Sequence, residues 1–303
     1  YQGGAISHIG KVYTVDVDGP AGLSSFFNGN SGTAFPCATL IACTWNKDLA
    51  YERGSQIGQE ARELGVNGWY GPAMNIHRSA FSGRNFEYYS EDGMLTGYMA
   101  AAETKGAQDK GVYCYIKHFA LNDLEQNREN QICVWSTEQA ARELYLKGFE
   151  MAVKEGGATA VMSALNYIGT QWTGSCSALL NDLLRGEWGF QGVVVTDSFA
   201  QAQNYKGADR AIRNGGDRML SSAVGGAQEL EDYTSATSLN YMRTACHNIL
   251  YTFANGYEYS GEVAVRMEPW KMGMIVIDVV LAAALAAGEI LLLKGYKKNR
   301  GSL

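Results

Sequence analysis

Short apolar runs alternate with longer helical stretches through the first 220 residues of the chain. Each run is short and continuous, as a buried parallel strand should be. Strands are predicted at residues 12–17, 39–44, 66–69, 113–116, 160–165, 193–196 and, more weakly, 218–220. Helices are predicted at residues 49–64, 95–110, 137–154, 177–188 and 199–214.

Repeated strand-helix units of this length imply a parallel sheet covered by helices. So many units in one chain favour an α/β fold of the TIM type, a (β/α)8 barrel, over a doubly wound sheet. No GxGxxG motif opens a helix after a strand, which argues against a dinucleotide-binding fold. The barrel is expected at residues 1–225, with a closing helix and linker at 226–265.

The pattern changes after about residue 225. A last helix is predicted at 234–253, and a polar link leads from it to an almost wholly apolar run at 273–293. A helix of this length can cross about 30 Å of hydrocarbon. Asp278 and Glu289 interrupt the run, but each lies within a few residues of one end. The alternative, a buried core helix, leaves a basic tail unexplained: Lys294, Lys297, Lys298 and Arg300.

We therefore expect a transmembrane helix at 273–293 within a C-terminal segment, 266–303. Basic residues concentrate on the cytoplasmic side of a membrane, so the tail is expected inside the cell, and Trp270 suits the opposite interface. The sequence thus predicts a protein of the cell membrane with a single C-terminal span and an extracellular barrel.

Charge and cysteine spacing exclude several classes of protein. The net charge of -6 and the pI near 5.3 leave no basic surface for nucleic acid. Six cysteines without a close CxxC pair or clustered histidines argue against a zinc site and against a small disulfide scaffold. We expect buried free thiols, and neither a metal nor a cofactor.

The stretch from Gly71 to Asp92, GPAMNIHRSAFSGRNFEYYSED, carries more polar and aromatic groups than maintenance of a fold requires. The groups follow a short predicted strand, which indicates a binding site for a small polar molecule. They are Asn75, His77, Arg78, Arg84, Asn85, Glu87, Tyr88 and Tyr89.

Two aspartates follow predicted strands. Asp197 ends the apolar run at 193–196, and barrel enzymes keep catalytic groups at the carboxyl ends of their strands. On this run alone, a cap of the next helix is the more common role for such an aspartate. Asp18 lies in VDVDGPAGL, where it could simply form a turn before Gly19 and Pro20.

Basic groups follow the predicted strand at 113–116. Lys117 and His118 end this apolar run, and Arg128 lies further along the same loop. Burying a charge without a partner is costly, so a role in a site is favoured over packing. With Arg84, these groups could hydrogen-bond the hydroxyls of a sugar, while Asp18 and Asp197 accept hydrogen bonds or attack.

Ordered motifs in the first 220 residues resemble the barrel domain of glycoside hydrolase family 3, of the β-glucosidase type. They are DGPAGL at 18–23, TAFP at 33–36, TWN at 44–46, NIHR at 75–78, GRNFEYYSED at 83–92, KHFALND at 117–123, RELYLKGFE at 142–150, VMSALN at 161–166, LLRGEWGFQG at 183–192 and VVTD at 194–197. So many motifs in one register make the resemblance specific. It implies a TIM-type barrel that hydrolyses β-glycosides without a metal or cofactor.

The resemblance also assigns roles to the predicted site residues. Asp197 would be the nucleophile of a retaining hydrolase that forms a glycosyl-enzyme intermediate. The substrate would be a small oligosaccharide or an aryl or alkyl β-glycoside, and its terminal non-reducing sugar would be held by Asp18, Arg84, Lys117, His118 and Arg128. Ala120 and Leu121 replace the KHFPGH loop of the family's N-acetylglucosaminidases, which argues against the aminosugar branch.

Two residues depart from the family pattern near the expected sugar. Leu165 stands where MSAYN has a tyrosine, and Ser198 stands where a tryptophan commonly follows the nucleophile. Both changes remove aromatic surface, so β-xylosidase-type specificity stays open beside β-glucosidase-type specificity.

The β-glucosidase type takes its acid/base glutamate from a separate α/β sandwich domain, which does not follow the barrel in this sequence. Asp123, Glu125 and Glu129 lie on the loop after Lys117, but none stands at a position that the family uses for this role. Some relatives carry the sandwich before the barrel and end in a membrane helix. We therefore expect a sandwich domain encoded upstream of Tyr1, and it stays open whether the barrel is complete at its start or its opening is encoded upstream as well.

Three classes of function remain open: a membrane-anchored retaining β-glycosidase, a sugar-binding protein that has lost catalysis, and a purely structural anchor. The six intact site residues favour the enzyme, because drift after a loss of activity would have broken some of them. Leu165 and Ser198 keep the sugar-binding protein open.

Overall fold

A computed structural model describes residues 2–24, 32–198, 207–220, 230–259 and 269–300. The chain divides into two compact units, Tyr1–Gly261 and Glu262–Leu303. The first unit holds the predicted barrel, and the second holds the apolar run near the C-terminus.

The described part of the first unit is organised by short strands. They are β1 (Gln2–Gly3), β2 (Thr14–Asp18), β3 (Gly68–Tyr70), β4 (Tyr113–Phe119), β5 (Cys133–Val134), β6 (Ala160–Ser163), β7 (Tyr167–Ile168), β8 (Gln171–Trp172) and β9 (Val193–Thr196). Six of them form one sheet in the order β1-β2-β3-β4-β6-β9, and the other three form a small second sheet in the order β5-β7-β8.

The six-stranded sheet confirms the predicted α/β class. From β2 to β9 its neighbours are parallel, and only β1 runs antiparallel, beside β2. The strand predictions at 12–17, 66–69, 113–116, 160–165 and 193–196 are confirmed to within a few residues. The weak prediction at 218–220 corresponds to a single parallel bridge between Arg218 and Val195.

Arg218 connects the two edges of this sheet. It lies beside β9, yet its guanidinium Nη1 donates to Asp16 Oδ2 on β2 at 2.7 Å and its Nη2 donates to the Gln2 carbonyl at 2.9 Å. The sheet is therefore a curved, TIM-like half-barrel across the residues that the structure describes. Closure into eight strands stays a prediction, since residues 199–206 and 221–229 lie outside the described part.

One predicted strand is wrong. Residues 39–44 lie in a helix, α1 (Ala38–Cys43), in which Ala38, Ile41 and Ala42 are buried. Their spacing of three and four residues places them on one helical face. The sequence of a short apolar run does not distinguish a strand from a buried helical turn. Here the run forms a helix that buries one face.

The remaining helices agree with the predicted pattern. They are α2 (Lys47–Glu63), α3 (Gly93–Gln108), α4 (Glu138–Ala140), α5 (Lys147–Lys154), α6 (Ala208–Arg213) and α7 (Ala236–Ala254), with π-helical stretches at Ala141–Tyr145 and Ala178–Glu187. Four single 3-10 turns are Ser7–Ile9, Asn85–Glu87, Arg128–Asn130 and Thr173–Ser175. Part of the predicted helix at 199–214 lies outside the described residues, and α6 accounts for its end.

Asparagine and aspartate caps explain where two long helices begin. Asn46 accepts hydrogen bonds from the backbone amides of Asp48 and Leu49 at the start of α2. Asp92 does the same for Met94 and Leu95 at the start of α3. These side chains satisfy amides that have no partner within the helix.

The core has an outer and an inner layer. Between the sheet and its helices pack large apolar side chains that include Met99, Phe119, Phe149 and Trp188. Inside the curve of the sheet lie Tyr70, Tyr113, Tyr115, Met162 and Val195, which belong to one cluster with Leu220 and Phe253. Of this inner layer, Tyr70, Met162 and Leu220 also line a cavity at the carboxyl edge of the sheet.

The six cysteines are free thiols, as predicted, but their expected burial is only partly correct. Cys114 is buried on β4, whereas Cys43, Cys133 and Cys246 are exposed. The three exposed cysteines lie in or beside surface helices and the small sheet, so burial does not follow from residue type alone.

The second unit contains a single long helix in its described part, α8 (Pro269–Arg300). Within it, Met272–Lys294 is an apolar run of 23 residues that contains an 18-residue stretch with a mean hydropathy of 2.4. The run is long and apolar enough to cross a membrane, and it encloses the predicted span at 273–293.

Candidate active site

The six predicted site residues line one cavity of about 260 Å³ at the carboxyl edge of the parallel sheet. Other residues of this cavity are Tyr70, Met162, Ser198 and Leu220. A larger cavity of about 370 Å³ lies beside Lys105 and Lys154 at the amino ends of β4 and β6, and none of the six predicted site residues lines it.

The topology explains why residues so distant in sequence meet. Asp18 ends β2, Lys117 and His118 lie near the end of β4, and Asp197 directly follows β9. Since β2, β4 and β9 run in the same direction, their carboxyl ends lie at one edge of the sheet. Arg84 and Arg128 come from loops that start at this edge.

Asp18 and Lys117 form an ion pair in the wall of the cavity. Lys117 Nζ donates to Asp18 Oδ1 at 2.6 Å, and the Glu87 carboxylate lies 4.0 Å from the same Nζ. Burial disfavours the Asp18 charge, but the Lys117 ammonium outweighs burial and lowers the pKa of Asp18. The Asp18 side chain is 33% exposed against 3% for Lys117, so the carboxylate is the more accessible of the two partners.

His118 is a neutral acceptor toward Arg84. The Arg84 guanidinium, which can only donate, places Nη2 3.1 Å from His118 Nε2. Nε2 therefore accepts, and Nδ1 carries the proton toward the Tyr88 hydroxyl at 3.4 Å. Burial, followed by the charges of Arg84, Lys117 and Arg128, holds the pKa of His118 well below its usual value.

The backbone of His118 is also fixed. The Asn75 side chain accepts from the His118 amide and donates to the His118 carbonyl, both at 2.9 Å. Asn75 belongs to the polar stretch that the sequence singled out. Its role is therefore to hold the strand end that presents Lys117 and His118, rather than to line the cavity.

Asp197, which follows β9, lies near Arg128 and His118. Its Oδ2 is 3.5 Å from Arg128 Nη1 and 4.0 Å from His118 Nε2, and its Oδ1 accepts from the Ser198 amide at 2.7 Å. One oxygen of the carboxylate is thus held by the backbone, and the other faces Arg128 and His118. The alternative role, a cap of the next helix, concerns residues 199–206, which lie outside the described residues.

Residues that the sequence analysis left out of the site complete its surroundings. Tyr70 ends β3, Met162 lies on β6, and Leu220 follows the bridge at Arg218. Alternation along the strands could have indicated Tyr70 and Met162, because every second residue points inward. Met162 lines the described cavity, whereas the buried Leu165 is not among its lining residues.

Two carboxyl groups on the loop after Lys117 have different surroundings. Asp123 is buried, accepts from the Ile76 amide at 3.2 Å, and does not line the cavity. Glu125 lies beside both arginines, with Oε2 3.1 Å from Arg128 Nε and Oε1 3.6 Å from Arg84 Nη1. Neither group stands free in the cavity as a proton donor would.

Comparisons with known proteins agree with this architecture. A family model for the "Glycosyl hydrolase family 3 N terminal domain" matches residues 7–223. Beta-glucosidase A of Butyrivibrio fibrisolvens is 45% identical over 204 residues, which are 67% of this chain and 24% of that protein. Probable beta-glucosidase K of Emericella nidulans is 41% identical over 184 residues, which are 60% of this chain and 22% of that protein.

Solved structures show the same likeness. Beta-glucosidase 3B from Thermotoga neapolitana, in complex with alpha-D-glucose, matches with a TM-score of 0.78 and 34% identity over 90% of this chain and 40% of that chain. A beta-glucosidase from Kluyveromyces marxianus in complex with glucose matches with a TM-score of 0.77 and 28% identity over 84% of this chain and 31% of that chain. This chain thus spans less than half of each relative. The chain belongs to glycosyl hydrolase family 3, and residues 7–223 match the family's N-terminal domain.

Proposed function

We propose that this chain is the barrel part of a retaining β-glycosidase of the β-glucosidase type, which hydrolyses terminal non-reducing β-linked sugars. The observation that carries the proposal is the position of Asp197. Its carboxylate ends a buried parallel strand and shares one cavity with Arg128, His118 and the Asp18–Lys117 pair. A beta-glucosidase with 34% identity was solved with glucose bound, which supports a glucose-sized ligand.

Each side chain has a role that its chemistry supports. Asp197 attacks the anomeric carbon and forms the glycosyl-enzyme intermediate. Asp18, kept ionised by Lys117, accepts hydrogen bonds from sugar hydroxyls, while Lys117, Arg84 and Arg128 donate. The neutral imidazole of His118 adds an uncharged polar group to the wall of the cavity. Several charge-assisted bonds to one ring would hold its anomeric carbon over Asp197.

A retaining mechanism also needs a second carboxyl group about 5 to 5.5 Å from the nucleophile. Asp18 is engaged by Lys117, and Asp123 and Glu125 are held outside the cavity or between arginines. We therefore propose that the acid/base residue comes from a second domain, the α/β sandwich of this family. The proposal is consistent with a chain that spans 24% of one relative and 40% of another.

The nucleophile can be tested directly. A 2-fluoro glucoside with a dinitrophenyl leaving group should form a stable covalent adduct, and peptide mass mapping should find it on Asp197. Asp197→Asn should remove the labelling, and Asp182→Asn, a substitution of an exposed aspartate, should leave it unchanged. Label on another carboxylate in an active preparation would overturn the assignment.

A sugar-binding protein without catalysis is the second candidate, because Ser198 lines the cavity where the family commonly has tryptophan. That protein would bind glucose, measured by calorimetry, without any covalent label. β-xylosidase-type specificity is tested by the same reagents, since a faster reaction of the xyloside than of the glucoside would favour it.

We also propose that α8 anchors the protein in the cell membrane with the barrel outside. The support is the length and apolar composition of Met272–Lys294 together with the basic residues of the tail.

A further inference from the structure

Two arginines reach the candidate active site from separate loops, and one carboxylate lies between them. Glu125 Oε2 is 3.1 Å from Arg128 Nε, and Glu125 Oε1 is 3.6 Å from Arg84 Nη1. Its side chain is 25% exposed, so this ion pairing is only partly screened by water. Arg84 is held mainly by Glu87, whose Oε2 accepts from Arg84 Nε at 2.5 Å, whereas Glu125 is the nearer carboxylate of Arg128.

The other ends of the guanidinium groups contact the residues proposed to act on the sugar. Arg84 Nη2 is 3.1 Å from His118 Nε2, and Arg128 Nη1 is 3.5 Å from Asp197 Oδ2. Arg128 is therefore shared between two carboxylates, and its nearer partner is Glu125. An arginine beside a single carboxylate tends to pair with it through two parallel hydrogen bonds. Glu125 competes for Arg128 and leaves the Asp197 carboxylate only loosely paired.

The chain fixes Glu125 by its backbone as well as by its charge. The Glu125 amide donates to the Ser82 carbonyl at 3.0 Å, which joins the loop after β4 to the loop that carries Arg84. The neighbouring Gly83 has φ of +94°, and a Cβ at this position would lie 3.2 Å from Glu125 Cγ. Asn122 Nδ2 donates to Glu125 Oε1 at 3.4 Å. Glu125 is therefore held by a backbone hydrogen bond and a side-chain hydrogen bond in addition to its ion pairs.

We propose that Glu125 is a positioning residue that draws Arg128 away from Asp197, so that the Asp197 carboxylate stays available for attack. The inference rests on the proposed function, in which Asp197 is the nucleophile. Without Glu125, Asp197 is the carboxylate paired with Arg128 among the described side chains, and a tight ion pair would hold the attacking oxygen. Glu125 acts through Arg128 and does not touch the reacting atoms.

The test compares Glu125→Gln with the unaltered full chain in detergent. Glutamine keeps the size of the side chain and removes its charge. We expect the rate of inactivation by a 2-fluoro dinitrophenyl glucoside to fall about 10- to 100-fold, the order of loss caused by a misplaced catalytic group. The rate should fall equally for glycosides with good and with poor leaving groups. If Glu125 were a general acid, its loss would instead leave the rate with the dinitrophenyl glycoside unchanged, and that result would overturn the proposal.

Two comparisons separate positioning from damage to the fold. Glu91→Gln makes the same chemical change at an exposed glutamate and should react at the original rate with the original thermal midpoint. Glu125→Asp keeps the charge on a shorter side chain and should lose less activity than Glu125→Gln. Loss of the same size in both Glu125 variants, with a lowered thermal midpoint, would indicate a merely structural role.

A crystal structure of Glu125→Gln gives a measurement that does not depend on catalysis. We expect Arg128 to move to a two-bond contact with Asp197 of about 3 Å or less. If the unaltered chain is never labelled at Asp197 but Arg128 moves in the variant, the proposed function fails and the positioning role stands. If Arg128 stays in place and the inactivation rate is unchanged, the positioning role is wrong.

Discussion

Asp123 is a buried carboxyl group on the loop that follows β4. One oxygen accepts from the Ile76 amide, and the other has no hydrogen-bond partner among the described residues. Burial raises the pKa of Asp123 to about 7, although the Ile76 amide and the charge of Arg78 favour ionisation. The folded protein therefore binds a proton that the unfolded chain has released above pH 4.

This proton predicts a dependence of stability on pH. Between about pH 4 and 7 the folded state binds more protons than the unfolded state, so Asp123 costs stability as the pH rises through this window. Asp123→Asn keeps an acceptor for the Ile76 amide and removes the titration. Relative to the original protein, the variant should gain stability from pH 5 to 8, by up to about 4 kcal/mol.

Urea denaturation at pH 5 and at pH 8 measures this difference. Asp182→Asn, at an exposed position, is the matched control and should show no such gain. If the stabilities of Asp123→Asn and of the original protein change by the same amount between pH 5 and pH 8, then Asp123 is ionised in the folded state at both pH values.

At the residue scale, the sequence identified side chains that the structure gathers in one cavity, but not the contacts between them. Asp18, Lys117, His118 and Asp197 could be found because each stands at the end of an apolar run within a motif. The position of Glu125 between two arginines could not, because it depends on where two loops meet in space. The burial of Asp123 was missed for the same reason.

At the scale of elements, helices α2 and α3 pack unusually closely. A Cβ on Gly54 of α2 would overlap the Glu103 carbonyl of α3, and a Cβ on Gly106 would overlap the Tyr51 carbonyl. Close to this contact, Glu103 accepts from Arg53 and from the Tyr89 hydroxyl, all within the core. The two glycines thus let a buried polar group bridge the helices.

We expect Gly54→Ala to lower the free energy of unfolding by about 1 to 3 kcal/mol, because the added methyl forces the backbones apart. Gly4→Ala is the control, since a Cβ there meets nothing within 4 Å, and it should change stability by less than about 0.5 kcal/mol. Urea midpoints of both variants check the prediction. Equal midpoints would show that the helices can separate without cost.

Element types were predicted well where runs were long or bounded by caps and glycines. The helices at α2, α3 and α7 were predicted within about two residues. Residues 39–44 were wrongly predicted as a strand because a run of six residues is too short for its periodicity to distinguish a strand from a helix. The small sheet of β5, β7 and β8 was missed, since its strands have two residues each.

At the scale of the whole molecule, the proposed division of catalytic groups predicts a dependence on the leaving group. Protonation by a positioned acid contributes about 10²- to 10⁴-fold, and mainly for poor leaving groups. This chain alone should hydrolyse cellobiose negligibly and still turn over a dinitrophenyl β-glucoside. The measurement is the ratio of the two kcat/KM values, before and after addition of the family's sandwich domain. Efficient cleavage of cellobiose by the chain alone would place the acid within the barrel.

The anchor predicts a second result for the whole molecule. Protease added to intact cells should release the barrel and leave Lys297 and Lys298 protected, because the tail is expected in the cytoplasm. Removal of residues 266–303 should move the protein from the membrane fraction to the soluble fraction. Digestion of the tail before the barrel would reverse the proposed orientation.

The bond from Arg218 to Asp16 also has a consequence during synthesis. The two residues are 202 positions apart, and Asp16 is fully buried with the Tyr113 and Tyr115 hydroxyls around it. At translation rates of 5 to 20 residues per second, the ribosome makes Arg218 roughly 10 to 40 s after Asp16. Until then Asp16 lacks the Arg218 guanidinium, and the bond between the two sides of the half-barrel cannot form. The half-barrel can therefore gain this contact only after Arg218 has left the ribosome.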